Sequence, residues 1–125
     1  MFKLIASLTV LGCLCACAAP PPPVDEFTAA WNEGERNENG TVAGAAYIQS
    51  SVGWLGRALT ASSIHCSGDI AHHVRLVVQL NLDGSVRKAM VRPSSPYWEC
   101  MKDAMAKKTY PAPPWDGYWR STTLN

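Results

Sequence analysis

Apolar positions fall into blocks of different period along the 125-residue chain. The first block, Leu4 to Leu14, is a mostly apolar run behind Lys3, shorter than the about 20 residues a bilayer span needs. The second lies in residues 42–61, where Ile48, Val52, Leu55 and Leu59 repeat at i, i+4, i+7 and i+11, one face of a helix. Ala45 extends that face, Tyr47 and Trp54 flank it, and Gly53 and Gly56 would let another element approach closely. The third block changes period. Leu76, Val78, Leu80 and Leu82 alternate onto one side of a strand, with Arg75, Gln79 and Asn81 on the other. Asp83-Gly84 is a hairpin turn signal, and Val86 to Val91 is the return strand. Ser95 as N-cap and Pro96 at the first helical position open a helix that runs to about Thr109, with Trp98, Met101 and Met105 on one side. Tyr110-Pro111-Ala112-Pro113-Pro114 ends it, and Tyr118 to Leu124 is a final strand. The expected fold is α+β: a three-stranded antiparallel sheet packed by two helices.

The first block has the order of a secretory leader, a charged start, a short apolar centre and small residues after it. Leu14-Cys15-Ala16-Cys17 resembles the lipobox of bacterial lipoproteins, which makes residues 1–16 the signal peptide and Cys17 the lipidated residue. Val10-Leu11-Gly12-Cys13 is a second match, with Cys13 as the alternative. Ordinary cleavage after Ala18 or Ala19 is the competing reading and would leave a soluble periplasmic protein. The lipobox implies a fatty-acyl anchor of the palmitate type. Ala18 in place of an acidic residue favours the periplasmic face of the outer membrane.

Processing also rationalises five cysteines. The leader removes Cys13 and Cys15, lipidation uses Cys17, and Cys66 and Cys100 remain as an even pair in an oxidising compartment. A disulfide between them is expected; two buried free thiols are the alternative.

Charge divides the chain. Residues 18–41 carry Asp25, Glu26, Glu33, Glu35 and Glu38 against Arg36, a net of −4, while residues 42–125 carry nine Lys/Arg against five Asp/Glu, a net of +4. With Pro20 to Pro23 and the polar stretch 32–40, residues 17–41 read as a lipid-anchored, Pro-rich acidic tether, and the domain as residues 42–125. The opposite charges would draw the tether back onto the domain. A net of +4 is too weak for a nucleic-acid surface.

The ordered set Leu80-Asn81-Leu82-Asp83-Gly84-Ser85-Val86, then Cys100, then Tyr110-Pro111-Ala112-Pro113 resembles the C-terminal domain of the TonB/TolA superfamily, most nearly that of TolA, over about residues 44–124. In that domain a cysteine at the start of the helix pairs with one before the hairpin, and partner segments bind by strand addition. Here Cys66 sits further ahead of the first strand, so residues 67–73 form an insertion. The transducers of that superfamily carry a transmembrane helix and a long periplasm-crossing segment. A lipobox and a short tether do not match that plan, so the transducing role is not carried over.

Chemistry is sparse. His65, Cys66, Asp69, His72 and His73 have metal-binding side chains, but their spacing fits no established zinc or copper pattern, so no metal site is expected. Phosphate-binding loops, a Gly-x-Ser-x-Gly elbow and a His-Glu-x-x-His helix are all missing from the sequence, so no catalytic residues, cofactor or small-molecule substrate are expected. Aromatic residues mark the one candidate surface: Trp115, Tyr118, Trp119 and Thr122 on or beside the last strand, as a protein-binding edge. The function these readings imply is a non-enzymatic envelope adaptor. The alternatives are a structural lipoprotein subunit of a secretion channel and an immunity lipoprotein against an exported toxin.

Overall fold

The structure, a computed structural model, describes residues 20–70 and 72–125. The expected leader and both candidate lipidation residues, Cys17 and Cys13, lie outside the described residues. The elements are α1 (Glu26–Gly40), α2 (Val42–Ser63), β1 (Val74–Leu80), β2 (Val86–Arg92), α3 (Pro96–Ala106) and β3 (Tyr118–Leu124). The three strands form an antiparallel sheet in the order β2-β1-β3. It is an α+β fold, with three helices rather than the two expected.

Alternation along β1 builds the larger core. Leu76, Val78 and Leu80 face α2 and α3 and pack with Tyr47, Leu55, Ala58, Met105, Tyr110 and Tyr118. Val74 joins Tyr97, Trp98 and Met101 at the α3 end. Leu82 does not continue the series. β1 stops at Leu80, the chain turns through Asn81–Ser85, and Leu82 is exposed. Gly84 sits at φ +88 with its N–H on the Asn81 carbonyl, so the Asp83-Gly84 signal is a true turn. The register shifts between Gln79 and Leu80, a bulge that accommodates this longer turn.

Helix α2 is rotated by about one residue from the expected face. Its buried positions are Gly44, Tyr47, Ser51, Leu55, Ala58 and Ser62, while Val52 faces solvent. Two serines are buried because each hydroxyl donates to a carbonyl of its own helix, Ser51 to Tyr47 at 2.6 Å and Ser62 to Ala58 at 2.8 Å. Small satisfied side chains let α2 sit close to the sheet, and Tyr47 fills the core rather than flanking it. Gly53 and Gly56 face outward and, among the described residues, receive no neighbouring element: none lies within 4 Å of a Cβ built at Gly56. Helix α3 starts as expected, with Ser95 Oγ accepting the Trp98 N–H, but ends at Ala106, before Thr109.

The largest departure concerns residues 26–40, expected to be tether. They form α1, which crosses the second face of the sheet. Asp25 caps it by accepting the Thr28 N–H at 2.9 Å. Phe27 and Ala30 pack on Val77, with Trp31, Met90 and Trp119 around them. Fully burying a side chain of Phe or Val size contributes roughly 1.5–3 kcal/mol, enough to hold a helix with few apolar residues. Arg92 lies over the Phe27 ring at 4.5 Å and Arg75 over Trp31 at 5.1 Å. Ion pairs join Arg92 to Asp25 and Lys88 to Glu26, so the acidic segment does fold back on the basic domain. Thr41 joins the first two helices: its hydroxyl donates to Asn37 O and accepts from Gly44 N.

Candidate docking surfaces

Strand geometry separates the four residues expected to form one protein-binding patch. Successive side chains of a strand point to opposite faces. Tyr118 is fully buried beneath α2, its ring 5.2 Å from Tyr47 in an edge-to-face contact. Burial pushes its phenol up to about 12. Trp119 turns to the other face and packs, half-buried, with the α1 cluster. Trp115, in the loop before β3, is partly exposed and rests edge-on against Tyr118 at 5.0 Å. Thr122 is half-buried and lines a groove between α1 and α2. These residues therefore do not make a single surface.

The outer edge of β3 is also occupied. Asn37 Nδ2 donates to the Trp119 carbonyl at 3.0 Å, and Ser121 Oγ donates to the Trp31 carbonyl at 2.9 Å. Gly34 lies so close that a Cβ there would meet Ser121 Oγ at 2.0 Å and Ser121 N at 2.8 Å. Helix α1 thus covers the backbone that an incoming strand would need. A strand adding to β3 would have to displace α1.

The opposite edge is open. Among the described residues, β2 pairs with β1 on one side and with no strand on the other. Its outer half floors a groove of about 410 Å³, walled by Asp25, Glu26 and Phe27 of the α1 end and by Glu99 and Lys102 of α3. The ladder shows which groups face outward. Because the Trp119 carbonyl turns away from β1, residues 118, 120 and 122 bond to Leu80, Val78 and Leu76. Alternation then directs the backbone of Val77 and Gln79 to Met90 and Lys88, which leaves Ala89 and Val91 with outward N–H and C=O groups.

The groove's charges are matched within it. Lys102 Nζ lies 2.6 Å from Glu99 and 3.3 Å from Asp103. Its bond to Lys102, with a second from Ser94, holds the Glu99 carboxyl below its usual range. The Thr28 N–H and then Arg92 lower Asp25 from 3.8 to about 2. A carboxyl lowered in the folded state stabilises above its unfolded value and loses that contribution as pH falls through the folded one. The docking of the α1 start is therefore expected to weaken between about pH 4 and pH 2, read as faster amide exchange at residues 26–30 while the core strands stay protected.

The histidine loop holds no such constellation. Cys66 is bonded to Cys100, S–S 2.05 Å, which fixes the loop after α2 to α3. A ring nitrogen of His73 lies 3.1 Å from Asn125 Oδ1. Among the described residues no group of three or more His, Cys, Asp or Glu side chains is placed to hold a metal ion, and no helix is long and apolar enough to cross a membrane.

Sequence reasoning missed the β2 edge, although its signal was present. Arg87, Lys88 and Arg92 on one short strand are the charges that natural edge strands carry against indiscriminate pairing. No family model, curated protein or solved structure matches the chain.

Proposed function

We propose that this chain is an exported lipoprotein, acylated at Cys17 and facing the periplasm from the outer membrane, whose domain is a non-catalytic adaptor for a protein partner. The partner adds an extended segment to β2. The observation that carries this reading is the groove at the β2 edge, where Ala89 and Val91 have unpaired backbone groups between two helical walls. Backbone pairing supplies affinity in such complexes, and pockets for alternate side chains supply selectivity. The leader pattern supports export, the cysteine pair suits an oxidising compartment, and the TonB/TolA-like motif order supports binding by strand addition.

Photo-crosslinking in intact envelopes tests this. A photoreactive residue in place of Ala89 is expected to capture a partner protein, whether or not one in place of Thr122 does. Capture from position 122 alone would refute β2 as the docking edge. Mass spectrometry of the mature N-terminus is expected to show an acylated cysteine at 17; an unmodified alanine would refute the anchor.

The second reading, a subunit of an oligomeric secretion channel, is favoured by the outer face of α2. Val42, Val52 and Ile64 are exposed there beside Gly53 and Gly56. Ring-sized species in light scattering would support it over a monomeric adaptor.

A further inference from the structure

Arg120 stands apart among the charges of the described residues. It is 3 % exposed, yet none of the ion pairs among the described residues includes it. Its guanidinium donates from Nη1 to Ser51 Oγ at 2.6 Å and lies 5.5 Å from the centre of the Tyr47 ring. Among the described residues its Nε has no hydrogen-bond partner, and neither do the buried hydroxyls of Tyr110 and Tyr118, which share the core cluster of Tyr47. A buried cation without a carboxylate is costly to fold around, and a cluster of unsatisfied polar atoms calls for an explanation. Arg120 contributes to the lining of a groove of about 380 Å³ between the C-terminal half of α1 and α2. Ile48, Val52 and Leu55 give this groove an apolar wall, and Glu35 and Glu38 give it an acidic one.

We propose that this groove receives the free C-terminus of a polypeptide, with the terminal carboxylate on Arg120. The last side chain is apolar and lies on Ile48, Val52 and Leu55, and a basic residue precedes it and faces Glu35 and Glu38. A guanidinium is the side chain best matched to a carboxylate. The acidic wall disfavours a simple anion and favours a ligand that brings its own positive charge. This rests on the reading that the domain binds protein, but it uses different residues from the β2 edge, so the two stand or fall separately.

The test titrates the ¹⁵N-labelled full chain in detergent micelles with acetyl-Lys-Ala-Leu, as the free acid and as the C-terminal amide. The acid is expected to shift the amides of Ser51 and Thr122 and the Arg120 Nε resonance to saturation. The amide is expected to bind about tenfold more weakly, the scale of one charge-assisted hydrogen bond. Glu38→Gln alters a partly exposed side chain and leaves the fold in place. It is expected to weaken the lysine peptide about threefold and to leave acetyl-Ala-Ala-Leu unchanged, in keeping with one solvent-screened charge pair. Equal binding of acid and amide, or no saturable shift with either, overturns the proposal. Crosslinking from position 89 is independent of both outcomes.

Discussion

Replacing Tyr118 by alanine is expected to destabilise the fold by about 3–5 kcal/mol, the cost of removing a buried aromatic side chain. The sequence suggested this residue as a recognition aromatic, and its surroundings argue otherwise. It is fully buried, touches Tyr47 and Trp115 ring to ring, and pairs with Leu80 at the end of β1. A loss of this size is a large fraction of the roughly 5–15 kcal/mol that holds a domain together. The measurement is chemical denaturation followed by far-ultraviolet circular dichroism. Tyr118→Phe separates the ring from its hydroxyl, which is buried without a hydrogen-bond partner among the described residues. That variant is expected to be neutral or slightly stabilising, because removing an unsatisfied polar group removes its desolvation cost. A Tyr118→Ala protein of unchanged midpoint that has lost its partner would instead return Tyr118 to the binding surface.

The paired serine variant Cys66→Ser/Cys100→Ser is expected to lose about 3–4 kcal/mol, from the chain entropy released when a loop of this length opens in the unfolded state. The bond joins residues 34 apart and ties the loop between α2 and β1 to the middle of α3. Helix α3 has a further hold on the core through Tyr97, Trp98, Met101 and Met105, so the reduced protein is expected to keep its topology with a lower midpoint. Thermal melts with and without reductant measure this. Coincident melts would show that the bond adds nothing to stability.

What the sequence revealed, and what it hid, follows from where the signals reside. β1, its hairpin and the start of α3 were legible because each has a local cause: strict alternation, an Asp-Gly turn, a serine N-cap followed by proline. Helix α1 was not. Its inward face is Phe27, Ala30, Gly34 and Asn37 at helical spacing, and only the first is strongly apolar. Gly34 is there for close approach to Ser121 and Asn37 for the Trp119 carbonyl, and hydropathy registers neither. For the same reason the face of α2 was misplaced by one residue: Ser51 and Ser62 look polar in sequence and are buried in fact. The four candidate residues around β3 do not share one face, because clustering in sequence is not clustering in space along a strand. Trp119 and Tyr118 are neighbours in the chain and lie on opposite sides of the sheet.

The early start of α1 changes how far the folded body can travel. Ordered helix begins at Glu26, capped by Asp25, so with Cys17 as the acylated residue only eight peptide units separate lipid from protein. Four of those residues are prolines, Pro20 to Pro23. At no more than about 3.6 Å each, such a leash would span under about 30 Å, comparable with the hydrocarbon thickness of a bilayer. Because the helix start lies beside Arg92, such an anchor would hold the β2 groove on the membrane-proximal side. Under the proposed anchor, a partner docking there would have to come to the lipid surface, since the groove could not be carried out to meet it.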